Sequence, residues 1–194
     1  MTSSVNEEIF YNVGEMLWIY GILSGLFGLF SVFPKPNPLF GFLQLFLWGL
    51  LLARAPGPEA SFRVGLMLGL LSYFWVFLGF IGWFALIPLF VWLLASLSFG
   101  VVSYLTVASF PLVSPYLTPF LFPLLLTSLN IILSFGPWGI WNQQSIALST
   151  WGFASPLAGV FGVHVYGFTI ALMAGLLAMG ISESIPLKLS LIHI

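Results

Sequence analysis

The residues in this chain with chemical potential are few, and they lie within apolar sequence. His164 sits in FGVHVYGF (Phe161–Phe168), and Asn130 closes FPLLLTSLN (Phe122–Asn130). Trp138, Trp141 and Trp151 share the segment GPWGIWNQQSIALSTWGFASP (Gly136–Pro156) with Asn142, Gln143 and Gln144. An ionisable group inside an apolar segment is a functional candidate by default, but a histidine needs partners to act. The chain has no cysteine and no aspartate. That excludes disulfides, thiolate metal sites, a cysteine nucleophile and paired-aspartate proteolysis. No carboxylate or second histidine accompanies His164, so neither a metal site nor a proton relay is expected. A serine–histidine pair of the intramembrane type calls for Gly-x-Ser-Gly, and GILSGL (Gly21–Leu26) has a different spacing. No catalytic residue and no cofactor are therefore assigned. What remains is contact chemistry. Asn130 and His164 either hydrogen-bond across helices or face a ligand. Trp138 and Trp141, in an uncharged polar loop, suit contact with lipid or substrate.

The elements that must carry these residues follow from composition. Of 194 residues, 60% are hydrophobic and 5% are charged, against about 25% charged in a soluble domain. The charged residues are Glu7, Glu8, Glu15, Lys35, Arg54, Glu59, Arg63, Glu183 and Lys188, and none lies between Val64 and Ser182. A charge at mid-bilayer costs about 2.5–3.5 kcal/mol, which accounts for that gap. Apolar runs such as LFGFLQLFLWGLLLA (Leu39–Ala53) are continuous. They lack the alternation of a membrane barrel. The fold class expected is all-α: a polytopic transmembrane helix bundle of about six spans, each drawing on roughly 20 apolar residues. Net charge is −1 with no basic patch, which removes nucleic acid as a partner.

Prolines and charges punctuate the chain. Residues 1–15 are a polar, acidic N-terminal segment without the basic region or cleavage site of a signal peptide. The transmembrane domain is expected over 16–181, with spans near Met16–Phe33, Leu39–Ala53, Val64–Trp83, Leu86–Phe110, Phe120–Phe135 and Leu157–Ile181. FPKPNP (Phe33–Pro38) and PLVSPYLTP (Pro111–Pro119) are proline-locked turns that cannot continue a helix. RAPGPEASFR (Arg54–Arg63) reads as a water-exposed loop. Gly21-xxx-Gly25, followed by Gly28, and Gly65-xxx-Gly69 are spacings that let helix backbones approach closely. Trp18, Trp48, Trp75, Trp83 and Trp92 are expected at membrane interfaces or helix contacts, most of them in aromatic belts. Residues 182–188 begin a tail. LSLIHI (Leu189–Ile194) matches the translation of a transposon-end sequencing adapter, so 189–194 is read as an artefact, with the natural chain expected to continue past about Lys188.

The layout resembles the membrane domain of the bacterial apolipoprotein N-acyltransferases from about Gly21 to Ala178. FPKPNP follows the first span, and the Gly-rich GLMLGLLSYFWVFLGFIGW (Gly65–Trp83) forms the third. FPLLLTSLN leads to GPWGIW (Gly136–Trp141), similar to the family's Gly-Phe-Pro-Trp loop, and PLAGVFGVHVYGF (Pro156–Phe168) enters the sixth span. The family's Glu and Arg of the fifth span stand here as Asn130 and Leu133. The resemblance implies a multi-pass protein of the bacterial inner (cytoplasmic) membrane. It also implies two partners, a phospholipid acyl donor and a diacylated lipoprotein whose N-terminal amine accepts the chain. The chemistry in that family belongs to a nitrilase-like domain with a Glu-Lys-Cys triad after a seventh span. This chain would be the lipid-holding part. A small membrane transporter or channel subunit, and a structural membrane protein assembling through its Gly-xxx-Gly faces, are the other readings.

Orientation follows from the basic residues. With the N-terminus cytoplasmic, Arg54, Arg63 and Lys188 face inward and only Lys35 faces outward. The cysteine-free chain allows a direct check by single-cysteine labelling. Gly57→Cys is expected to react only from the cytoplasm, and Asn37→Cys or Gln144→Cys only from outside. Reaction of all three from one side would overturn the span count.

Overall fold

Asn37 opens a helix because its side chain accepts hydrogen bonds from the N–H of Leu39 (3.0 Å) and of Phe40 (3.4 Å), and Pro38 fills the first helical position, where no N–H is needed. Similar punctuation recurs along the chain. The computed structural model describes residues 2–32, 35–74, 86–135 and 162–182, with residues 2–15 as backbone only. Its described elements are α1 (Thr2–Val32), α2 (Pro38–Arg54), α3 (Pro58–Ser72), α4 (Leu86–Ser109), α5 (Thr118–Ser134) and α6 (Val163–Ile181). A 3₁₀ turn at Phe110–Leu112 extends α4. No strand occurs among the described residues, so the chain is all-α there.

Two described segments are long and apolar enough to cross a membrane: Leu86–Leu112, 27 residues, and Val163–Ile181, 19 residues. The apolar helices Met16–Val32, Pro38–Arg54 and Thr118–Ser134 are shorter. At 1.5 Å per residue a helix of seventeen residues reaches about 26 Å, less than the roughly 30 Å hydrocarbon core. Boundaries differ from those read in the sequence at α3 and α6. The exposed loop after α2 shrinks to Ala55–Gly57, because Pro58 starts α3 six residues ahead of Val64. The last helix starts at Val163, not near Leu157, because Gly162 has φ +82° and ψ 161°, a conformation outside any helix. The third span is described only to Phe74; its expected remainder, with Trp75 and Trp83, lies outside the described residues.

The helices close into a ring in the order α1, α3, α4, α5, α6, α2, each packed on two neighbours. Small residues make the seams. A Cβ on Gly25 would stand 2.7 Å from Leu71 Cβ, and one on Gly69 would stand 2.7 Å from Ser96 Cα. One on Gly49 would meet Ala178 Cβ at 2.9 Å. Both glycine patterns singled out in the sequence thus work within the chain: Gly21, Gly25 and Gly28 against α3, and Gly65 and Gly69 against α4.

Trp48 ties the ring across its middle. It is fully buried, and its indole N–H donates to Ser103 Oγ at 2.8 Å. Its ring stacks on Phe99 at 4.6 Å and meets Phe122 edge-on at 4.8 Å. The aromatic-belt expectation therefore does not hold for Trp48, a hub between α2, α4 and α5. Trp92 likewise turns inward, donating to the Leu70 carbonyl at 2.8 Å.

The exterior is apolar as well as the core, and small polar side chains are buried among the core's leucines and aromatics. Ser24, Ser31, Gln44, Ser61, Ser72, Ser96, Ser103 and Thr106 are fully buried. Leu86, Leu112 and Phe135 are 80% or more exposed, and Phe90, Ile132 and Leu177 are largely so. Most of the buried hydroxyls donate to helix carbonyls, as Ser24 does to Gln44 O (2.8 Å) and Thr106 to Val102 O (2.7 Å).

Gly69→Val is expected to destabilise the bundle by about 1–3 kcal/mol, because the new side chain meets Ser96 backbone with no room to rotate away. Gly57→Ala, where a Cβ meets nothing within 4 Å, should leave the melting temperature in detergent unchanged. Equal melting of both variants would refute the seam.

Candidate lipid-contacting site

The α5–α6 pair positions the candidate residues. Gly175 of α6 faces Phe122 and the Pro119 carbonyl of α5. That carbonyl is released from the helical ladder because Pro123, four residues on, has no N–H to donate. With this register the two helices run antiparallel. Asn130 lies eight residues beyond Phe122, and His164 lies eleven before Gly175, so both sit at the end where α5 stops and α6 starts. The turn holding Lys35, between α1 and α2, is at the same end, since Gly49, late in α2, packs against Gly175 and Ala178, late in α6.

The structure brings Asn130 and His164 to one end without joining them. Asn130 is half-buried, and no side-chain hydrogen bond to it occurs among the described residues. His164 is half-buried, with Nδ1 buried and lacking a hydrogen-bond partner. Neither is hydrogen-bonded to a carboxylate or hydroxyl in the described part, so His164 has no base–nucleophile pair there. Trp138 and Trp141 lie outside the described residues, as does the rest of Gly136–Pro156. By connectivity, the chain leaves α5 and returns to α6 at the end that carries Asn130 and His164. No group of three or more potential metal ligands occurs among the described residues.

Sequence reasoning passed over Gln44. It is fully buried, donates through Nε2 to Ser72 Oγ at 3.1 Å, and leaves Oε1 unpartnered. Ser24 and Gly28 flank it from α1. The signal was a single amide within the apolar run LFGFLQLFLWG. An unpaired amide oxygen in such surroundings costs about 1–3 kcal/mol, and a bridging water is the ordinary remedy where space allows. Glu59 and Arg63 were read as part of a loop; they are a same-face pair on α3.

No protein-family model, curated protein or solved structure matches this chain.

Trp138 or Trp141 is expected to contact lipid at outer-leaflet depth. The measurement compares quenching by brominated phospholipids in the parent with that in Trp138→Phe and Trp141→Phe. The parent should lose more emission than at least one variant. Identical quenching in all three, with a water-soluble quencher still separating them, would refute lipid contact.

Proposed function

We propose that this chain is a multi-pass membrane bundle that holds lipid, the membrane part of an enzyme of the apolipoprotein N-acyltransferase type. The observation that carries the membrane reading is the apolar exterior: leucine, isoleucine and phenylalanine face outward on α4, α5 and α6, while serines, a threonine and Gln44 are buried within the core. Water would drive those apolar side chains inward at about 25 cal/mol per Å², whereas hydrocarbon solvates them. Helix association in hydrocarbon then relies on close packing and interhelical hydrogen bonds, which are the contacts that hold these seams. The reading has about six spans in the bacterial cytoplasmic membrane, with the N-terminus inside.

The acyltransferase reading is supported by the motifs FPKPNP, FPLLLTSLN, GPWGIW and PLAGVFGVHVYGF and their order. In it the phospholipid and the diacylated lipoprotein are held at the end carrying Asn130, His164 and the tryptophan-rich segment. Asn130 supplies both donors and acceptors to lipid esters or to an N-terminal peptide. The bundle's part is to orient both lipids; orientation accelerates a reaction only where a reactive group meets them. The chain contains no cysteine to carry an acyl thioester.

The purified chain is expected to retain a diacylated lipopeptide in preference to the same peptide without lipid, and to form no triacylated product from phospholipid. Mass spectrometry reads both. Failure to prefer the lipidated form would overturn the lipid-holding role. Triacylated product above a no-protein control, lost on His164→Ala, would make this chain an enzyme by itself.

A further inference from the structure

The far end of the bundle carries a second arrangement, unrelated to Asn130 and His164. Between the start of α3 and the end of α4 lies an open groove of about 410 Å³, lined by Glu59, Phe62, Arg63, Val101, Tyr104 and Leu105. Its volume is within the range of small-molecule sites. Glu59 and Arg63 are four residues apart, on one face of α3. Both are exposed, and neither is in an ion pair among the described residues. Tyr104 is 42% exposed, and its hydroxyl has no partner there. Arg54, the other basic residue at this end among the described residues, is already engaged, hydrogen-bonded to the Tyr20 hydroxyl with its guanidinium 5.5 Å from the Tyr20 ring centre.

The order of these groups along the helix carries the argument. Glu59 is in the first turn of α3, next to the short Ala55–Gly57 connection. Arg63 lies about 6 Å further into the bundle. Beyond it α3 has no charge, and Val101, Leu97 and Leu94 continue an exposed apolar track along α4. Passing inward the groove therefore presents a carboxylate, then a guanidinium with a phenol, then hydrocarbon. A phospholipid carrying a primary ammonium presents the complement in the same order: ammonium, then phosphate, then acyl chain.

We propose that this groove seats one zwitterionic phospholipid with a primary-ammonium headgroup. Arg63 pairs with the phosphate, to which the Tyr104 hydroxyl also donates. Glu59 accepts from the ammonium, whose three N–H donors a quaternary ammonium lacks. Phe62, Val101 and Leu105 flank the upper acyl chain. The site rests on membrane residence but not on acyl transfer, and it lies at the opposite end of the bundle from the candidate substrate residues.

The test is native mass spectrometry of the full chain in detergent, titrated separately with phosphatidylethanolamine, phosphatidylcholine and phosphatidylglycerol. One phosphatidylethanolamine should be retained about tenfold more strongly than either of the others, the step expected from one charge-assisted hydrogen bond. Glu59→Gln should reduce that retention to the phosphatidylcholine level, and Arg63→Gln should weaken retention of all three. The exchanged pair Glu59→Arg with Arg63→Glu keeps the net charge and reverses the order, and should abolish the preference. Unchanged helical circular dichroism confirms that each variant is folded. Equal retention of the three lipids, preference for the anionic one, or a preference that survives the exchange would overturn the proposal. None of these outcomes bears on lipopeptide retention, so the two readings fail separately.

Discussion

Backbone approach between α3 and α4 is the constraint on which the rest of the bundle depends. Gly65 and Gly69 place α3 so close to Ser103, Phe99 and Ser96 that no side chain fits between. That closeness brings Ser103 to where it accepts from the Trp48 indole and lets Ser61 Oγ reach the Ser103 carbonyl at 3.2 Å. Trp48 then reaches Phe99 and Phe122 as well. Aromatic pairs of this kind contribute about 0.5–1.5 kcal/mol each, and interhelical hydrogen bonds in membranes average about 0.6 kcal/mol. Each contribution is small, so the hub's stability comes from several contacts that share one geometry.

The α1 seam uses the same device with a different side chain. Gly28 leaves space for the Gln44 amide, and Ser72 takes its N–H. The amide oxygen is left over. Leucine in its place would remove the orphaned oxygen but also the hydrogen bond to Ser72, the polar contact that fixes the α1–α2–α3 register. A buried polar group used for register is a recognised device in coiled coils, and Gln44 occupies a comparable position.

The bundle's two ends differ in kind. One carries half-buried Asn130 and His164 without carboxylates, beside the chain's entry to and exit from the tryptophan-rich segment. The other carries the groove with opposite charges one helical turn apart. Neither end is polar along its full depth. The serines and threonine between them spend their hydroxyls mostly on helix carbonyls. The glycine faces that might have served assembly with other chains are filled by α3 and α4 of the same chain.

The sequence by itself determined the helical class, the apolar segments and the proline turns. Those depend on local chemistry: proline has no N–H to donate, and a charge inside hydrocarbon is costly wherever it falls. It also marked Gly21, Gly25, Gly65 and Gly69 as contact residues, because spacing along a helix fixes which residues share a face. Only the tertiary structure decided what met each face. Trp48 reads in sequence like any membrane tryptophan; its burial depends on Phe99, Ser103 and Phe122, which lie 51 or more residues away. Gln44 reads as one amide among leucines until Ser72 and Gly28 close on it. Glu59 and Arg63 read as loop until Pro58 begins a helix that puts them on one face against Tyr104. In each case the deciding contact is made between distant segments, whose meeting depends on how six helices close into a ring, and no local pattern encodes that closure.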